Sequence, residues 1–84
     1  YMVIKYFSWV RDLAETSEEN IQLPTNVTTV EELIKFLTKK NKKYEKIFLK
    51  NHTVKIAINK VYASSSSKIK NNDEIAFFPP VTGG

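Results

Sequence analysis

The chain has 84 residues, 42% of them hydrophobic and 26% charged, with a net charge of +4. That is enough for one domain with a modest core and too little for two, in a composition that is globular rather than disordered. Cysteine is absent and histidine occurs once, at His52, which excludes a disulfide framework, a thiolate metal site, a cysteine nucleophile and a histidine metal cluster.

In chain order, Met2 to Trp9 (MVIKYFSW) is rich in β-branched and aromatic residues and predicts a first strand. Its alternation puts Met2, Ile4 and Tyr6 on one face and Val3, Lys5 and Phe7 on the other. VRDLAETSE reads as a turn or a single helical turn. Asn20 to Pro24 predicts a short second strand, paired antiparallel with the first and stopped by Pro24. The clearest helix follows. Val30, Leu33, Ile34 and Leu37 form one apolar stripe, and both Thr28–Glu31 and Thr29–Glu32 satisfy the capping-box spacing. The segment from Lys42 to Thr53 predicts irregular chain, or one short helical turn that tucks in Tyr44, Ile47 and Phe48. Val54 to Tyr62 predicts a third strand with a turn available at Asn59-Lys60, and the Ser64–Ser67 run a solvated loop. Glu74 to Phe78 predicts the last strand, with Ile75 and Phe77 facing the core and Phe78 partly exposed.

One amphipathic helix and about five short strands pack most simply as a helix laid across a mixed sheet, an α+β arrangement of the β-grasp, ubiquitin-like kind. First and last strands can then lie side by side at the centre. The expected organisation is a folded domain over residues 1–78 and a flexible tail over 79–84.

The tail holds the chemistry. Both glycines of the chain are its last two residues, Gly83 and Gly84, although ordinary composition (about 7%) would scatter roughly six through the turns. The sequence PPVTGG, fully extended, reaches about 20 Å. Pro79 and Pro80 stiffen its base, Val81 and Thr82 continue it, and the glycines leave its tip slim. Such a stalk suits insertion into a narrow channel of another protein. The unique reactive group is the α-carboxylate of Gly84, ionised at neutral pH and inert until it is activated by adenylation. No side chain here supplies that activation, so the expectation is a carrier without catalytic side chains. Phe78, at the base of the stalk, is a candidate interface anchor. Arg11 could pair with an acidic group of a partner, with Asp12, or with neither.

Lysines crowd the stretch from Thr38 to Lys46. The stretch reads first as a solvated helix end. A single arginine in the whole chain argues against nucleic acid as a partner. No apolar run approaches the ~20 residues of a membrane span, and no signal peptide opens the sequence, so the expected location is the cytoplasm.

The ending NNDEIAFFPPVTGG resembles the C-terminal signature of the MoaD/ThiS sulfur-carrier family, on the branch of the molybdopterin synthase small subunit. Asp73, Glu74, Ala76, Phe77, Phe78 and every residue from Pro79 to Gly84 match it. The Arg11-Asp12 pair, the helix VTTVEELIKFL and the stretch IAINKVY around Asn59 resemble the family more loosely. Three departures stand out: Asn72, Lys60 and Ala14-Glu15 occupy places where the family usually has glycine. The resemblance implies that an E1-like enzyme uses ATP to adenylate Gly84 and that a sulfur donor converts it to a thiocarboxylate. It also implies that the loaded tail enters the large catalytic subunit of molybdopterin synthase, where sulfur passes to a pterin precursor. No cofactor would be bound permanently. Three alternatives stand beside it: the related carrier for thiazole synthesis, a ubiquitin-like modifier joined to lysines, whose tail chemistry is the same up to the adenylate, and an interaction module with an inert tail.

Overall fold

In the computed structural model, residues 1–49 and 53–80 are described. Strand β1, Met2–Tyr6, buries Met2, Ile4 and Tyr6 and leaves Val3 and Lys5 half-buried on the opposite face, as its alternation requires. It pairs antiparallel with β2 (Glu18–Ile21) and parallel with β5 (Glu74–Phe78). On its other side β5 pairs antiparallel with β3 (Lys55–Ile58), which pairs with β4 (Val61–Ala63), giving the order β2-β1-β5-β3-β4. First and last strands are central neighbours, as expected. A parallel pair cannot be joined by a tight turn, and here the rest of the chain forms the crossover.

Helix α2, Val30–Lys40, is the long helix of the fold. Its stripe buries Val30, Leu33 and Leu37, while Ile34 packs at the core's margin. Of the two possible capping boxes, Thr29–Glu32 is the one that closes. Thr28 instead donates its N–H (2.7 Å) and hydroxyl (2.9 Å) to the same Glu32 carboxylate.

Helix α2 is the one main helix expected, and two short helices join it where the sequence allowed single helical turns. Helix α1, Ser8–Ala14, begins inside what the sequence suggests is strand. The strand stops at Tyr6 because Phe7 turns its carbonyl to accept from the Val10 and Arg11 N–H groups, opening a helix that buries Val10 and Ala14. Helix α3, Lys42–Phe48, takes the helical one of the two options expected for that segment and extends it to seven residues. Asn41 starts it, accepting the Lys43 N–H at 3.0 Å, and Tyr44 and Ile47 are buried beneath it. Strand β2 lies two to three residues earlier than expected. Tyr6 N–H bonds the Ser17 carbonyl, and that contact fixes its register. The expected third strand is a hairpin whose turn residues, Asn59 (φ 50°) and Lys60 (φ 70°), both take the positive φ that a two-residue hairpin turn demands. Asn72, at φ 78°, keeps the left-handed turn that glycine would otherwise supply.

Phe77 lies at the heart of the core, stacked with Tyr6 (6.2 Å between centroids) and edge-on to Phe48 (4.8 Å). Between β2 and α3, the Glu19 carboxylate accepts from the hydroxyls of both Tyr6 and Tyr44. Burial, reinforced by the bonds to Glu19, pushes the Tyr6 phenol far up and that of Tyr44 up to about 12. Both therefore stay neutral donors that tie the helical layer to the sheet.

Asp73, 5% exposed, fixes the start of β5. Its carboxylate accepts from the Lys70 N–H (2.9 Å), Lys70 Nζ (3.2 Å) and Asn59 Nδ2 (3.0 Å). Burial alone would raise this carboxyl, but the bonds from Asn59 and Lys70 outweigh it and hold it below the ordinary value. The group is thus a stronger acid folded than unfolded. Its contribution to stability is in place above the unfolded pKa, about 3.9, and is lost as pH falls through the lower folded value. Asp73→Ala is expected to cost about 1–3 kcal/mol at neutral pH, through loss of the bonds by which one buried carboxylate ties the Lys70 backbone and Asn59 to the start of β5. The gap to wild type should narrow in denaturant melts run below about pH 3. An equal gap at both pH values would show that the charge adds nothing.

Candidate functional site

The direction of β5 decides where the tail emerges. Because β5 runs parallel to β1, its last residue lies at the end of the sheet where β1 gives way to α1, and Phe7 N–H bonds the Phe77 carbonyl there at 3.1 Å. The ladder with β3 ends at the pair Lys55–Phe78. Pro79 follows, and with no N–H to donate and a fixed φ it cannot extend the sheet. Pro79 and Pro80 are half-buried against this end. Val81, Thr82, Gly83 and Gly84, the expected reactive tip, lie outside the described residues.

Around the base of the tail the outer face of the sheet is aromatic. Phe78 is half-buried, as expected, and its ring tilts against Tyr62 of β4 at 5.9 Å. Together with Lys55, Ile56, Ala63 and Pro80 these two rings line an open hollow of about 390 Å³. The pairing of Tyr6 with Phe77 sets Phe7, 46% exposed, beside Phe78 on that face. Tyr62 is 77% exposed. Large rings held open to water on a flat strand surface are what a partner would desolvate. Sequence reasoning found Phe78 and missed Phe7 and Tyr62 as its companions. The alternation of β1 already put Phe7 on the outward face. Tyr62 needed the β3–β4 turn to be placed first.

Arg11 lies exposed on α1, the helix that starts at the tail-bearing end. Among the described residues it makes no ion pair, with Asp12 or any other carboxylate. The buried phenols are held neutral at the opposite side of the core from the hollow. Among the described residues no helix is long and apolar enough to cross a membrane, and no group of three or more His, Cys, Asp or Glu is placed to hold a metal ion.

A five-strand mixed sheet gripping one long helix, with the chain leaving a central strand beside an aromatic hollow, is the β-grasp architecture of ubiquitin-like domains. The fold is shared with SAMP1 from Haloferax volcanii (TM-score 0.75, 24% identity, 99% of this chain and 98% of that one). It is shared too with a chain of the complex of subunits 1 and 2 of the molybdopterin-converting factor from Helicobacter pylori (TM-score 0.65, 18% identity, 99% and 97%). In sequence, residues 4–84 match the ThiS family, and the chain belongs to that family. It is 37% identical over 81 residues, 96% of each chain, to the molybdopterin synthase sulfur carrier subunit of Haemophilus influenzae.

Proposed function

We propose that this chain is a sulfur carrier subunit of molybdopterin synthase, with the C-terminal Gly84 as its working group. The observation that carries the reading is that the chain leaves the central strand β5 through Pro79 and Pro80 at one end of the domain, beside an exposed aromatic hollow, with VTGG next in sequence. The 37% identical relative of that name, matched over 96% of both chains, supports it. The chemistry runs in balanced steps. The Gly84 carboxylate attacks the α-phosphorus of ATP, pyrophosphate leaves, and an acyl-adenylate forms on an E1-like enzyme. Hydrosulfide released by a sulfur donor attacks that carbonyl, AMP departs with the bonding pair, a proton passes to solvent, and the C-terminus becomes a thiocarboxylate. The slim tip then enters the large catalytic subunit and sulfur passes to a pterin precursor. The absence of cysteine fits a carrier whose sulfur rides on the main chain. ATP belongs to the activating enzyme, the carrier holds no cofactor of its own, and a cytoplasmic setting, where ATP is at hand, suits the cycle.

Intact mass after incubation with ATP, the activating enzyme and a sulfur source tests this. The expected gain is that of one sulfur replacing one oxygen, confined to Gly84. No gain, with the activating enzyme proven on another carrier, would reject the reading. Isopeptide-linked Gly-Gly remnants on lysines of other proteins would shift the assignment to a protein modifier.

A further inference from the structure

The net charge of the chain is concentrated in one place. Residues 39–46 hold Lys39, Lys40, Lys42, Lys43 and Lys46 against a single acid, Glu45, which is +4 and equals the net charge of all 84 residues. The structure folds this stretch into a corner. Lys39 and Lys40 end α2, Asn41 breaks the chain, and Lys42, Lys43 and Lys46 belong to α3. Four of the five are exposed, and Lys43 is half-buried with its Nζ 5.3 Å above the Tyr44 ring. The ion pairs of the described residues use Lys5, Lys35 and Lys70, and none of these five. Four carboxylates, Asp12, Glu15, Glu18 and Glu19, lie on α1, β2 and the link between them, none within ion-pair distance of the corner. The position of the corner is as telling as its charge. Phe48 anchors α3 on Phe77, the next-to-last residue of β5, and α3 packs on α1, so the lysines share the tail-bearing end of the domain.

We propose that this α2–α3 corner is an electrostatic docking surface for an acidic face of the catalytic subunit that takes up the tail, an inference that rests on the carrier reading above. A carrier must meet one protein to be loaded and another to be emptied, so it gains from fast encounter rather than long residence. Exposed charges at the rim of an interface act mainly on encounter, because their field extends about a Debye length while their short-range contribution is small. Five unpaired lysines repel one another in the free domain, and an acidic partner relieves that repulsion. Nucleic acid is the poorer fit, since the corner has no arginine and its one aromatic, Tyr44, is buried.

The test is the association rate of the full-length carrier with its cognate catalytic subunit, measured by stopped flow across salt concentrations. Wild type is compared with Lys39→Glu/Lys43→Glu/Lys46→Glu and with the matching Lys→Gln triple. At about 20 mM salt the Glu triple should associate at least roughly tenfold more slowly, the Gln triple should fall between, and all three should converge near 0.5 M. Thermal melts should show both variants folded. Single-turnover sulfur transfer from loaded carrier at saturating subunit should be unchanged. Equal association rates at low salt would overturn the proposal, as would a salt-sensitive loss seen only with a single-stranded oligonucleotide or only with the activating enzyme. Wild type that associates in this charge-dependent way yet transfers no sulfur would instead refute the carrier reading alone.

Discussion

A chain ending at Thr82, without Gly83 and Gly84, is expected to melt as the full-length protein does and to carry no sulfur. The described domain shows why the fold should be indifferent. Its core is complete by Phe77, and the last ladder pair is made by Phe78, four residues before the truncation. The function should be lost to background because the truncated carboxylate sits on a β-branched residue two positions short of the active centre it must reach. Any residue added after Gly84 should have the same effect if it is not removed, since the carboxylate then belongs to another residue. Gly83→Val separates reach from shape. It keeps length and carboxylate but thickens the tip, so loading or transfer should fall while the melting temperature holds. Full turnover by an extended, unprocessed chain would defeat the whole scheme.

The adjacent residues Phe77 and Phe78 should answer to different assays. Phe77 is fully buried between Tyr6 and Phe48, and Phe77→Ala should cost about 3–5 kcal/mol through lost burial and the cavity left behind. Against the roughly 5–10 kcal/mol that holds a small domain together, that leaves a marginal or unfolded protein. Phe78 faces the other way and touches Tyr62 at the hollow. Phe78→Ala should shift a denaturant melt by about 1 kcal/mol or less, yet weaken binding to the catalytic subunit by about 2 kcal/mol, near thirtyfold in Kd. Melts and titrations of both variants decide. Wild-type affinity in Phe78→Ala would make that ring a part of the fold and no more.

The parts of the molecule that could be read in its sequence are those whose signal is local and repeated. Helix α2 carries two turns of stripe and a capping box. Strand β5 alternates cleanly and is closed by two prolines. Helices α1 and α3 are seven residues each, too short for a period to stand out. In α1 the signal was masked by aromatic and β-branched neighbours. In α3, Tyr44, Ile47 and Phe48 do have helical spacing after a capping Asn41, but lysines surround them. The aromatic face was only partly legible for a different reason. Tyr62 of β4 and Phe78 of β5 line the hollow and Phe7 follows β1 beside them, and what brings the three together is register, which depends on the Asn59-Lys60 turn, on the β3–β5 pairing and on the parallel β1–β5 pairing.

The position of β5 also has a mechanical consequence. A tail drawn into a channel pulls on the strand along its axis. Here that strand has a neighbour on each side, parallel β1 and antiparallel β3, so the load falls across both ladders in shear, many bonds at once. An edge strand pulled the same way would share the load with one ladder only. A pull on the tail would thus be shared by both neighbours of β5 and not by one.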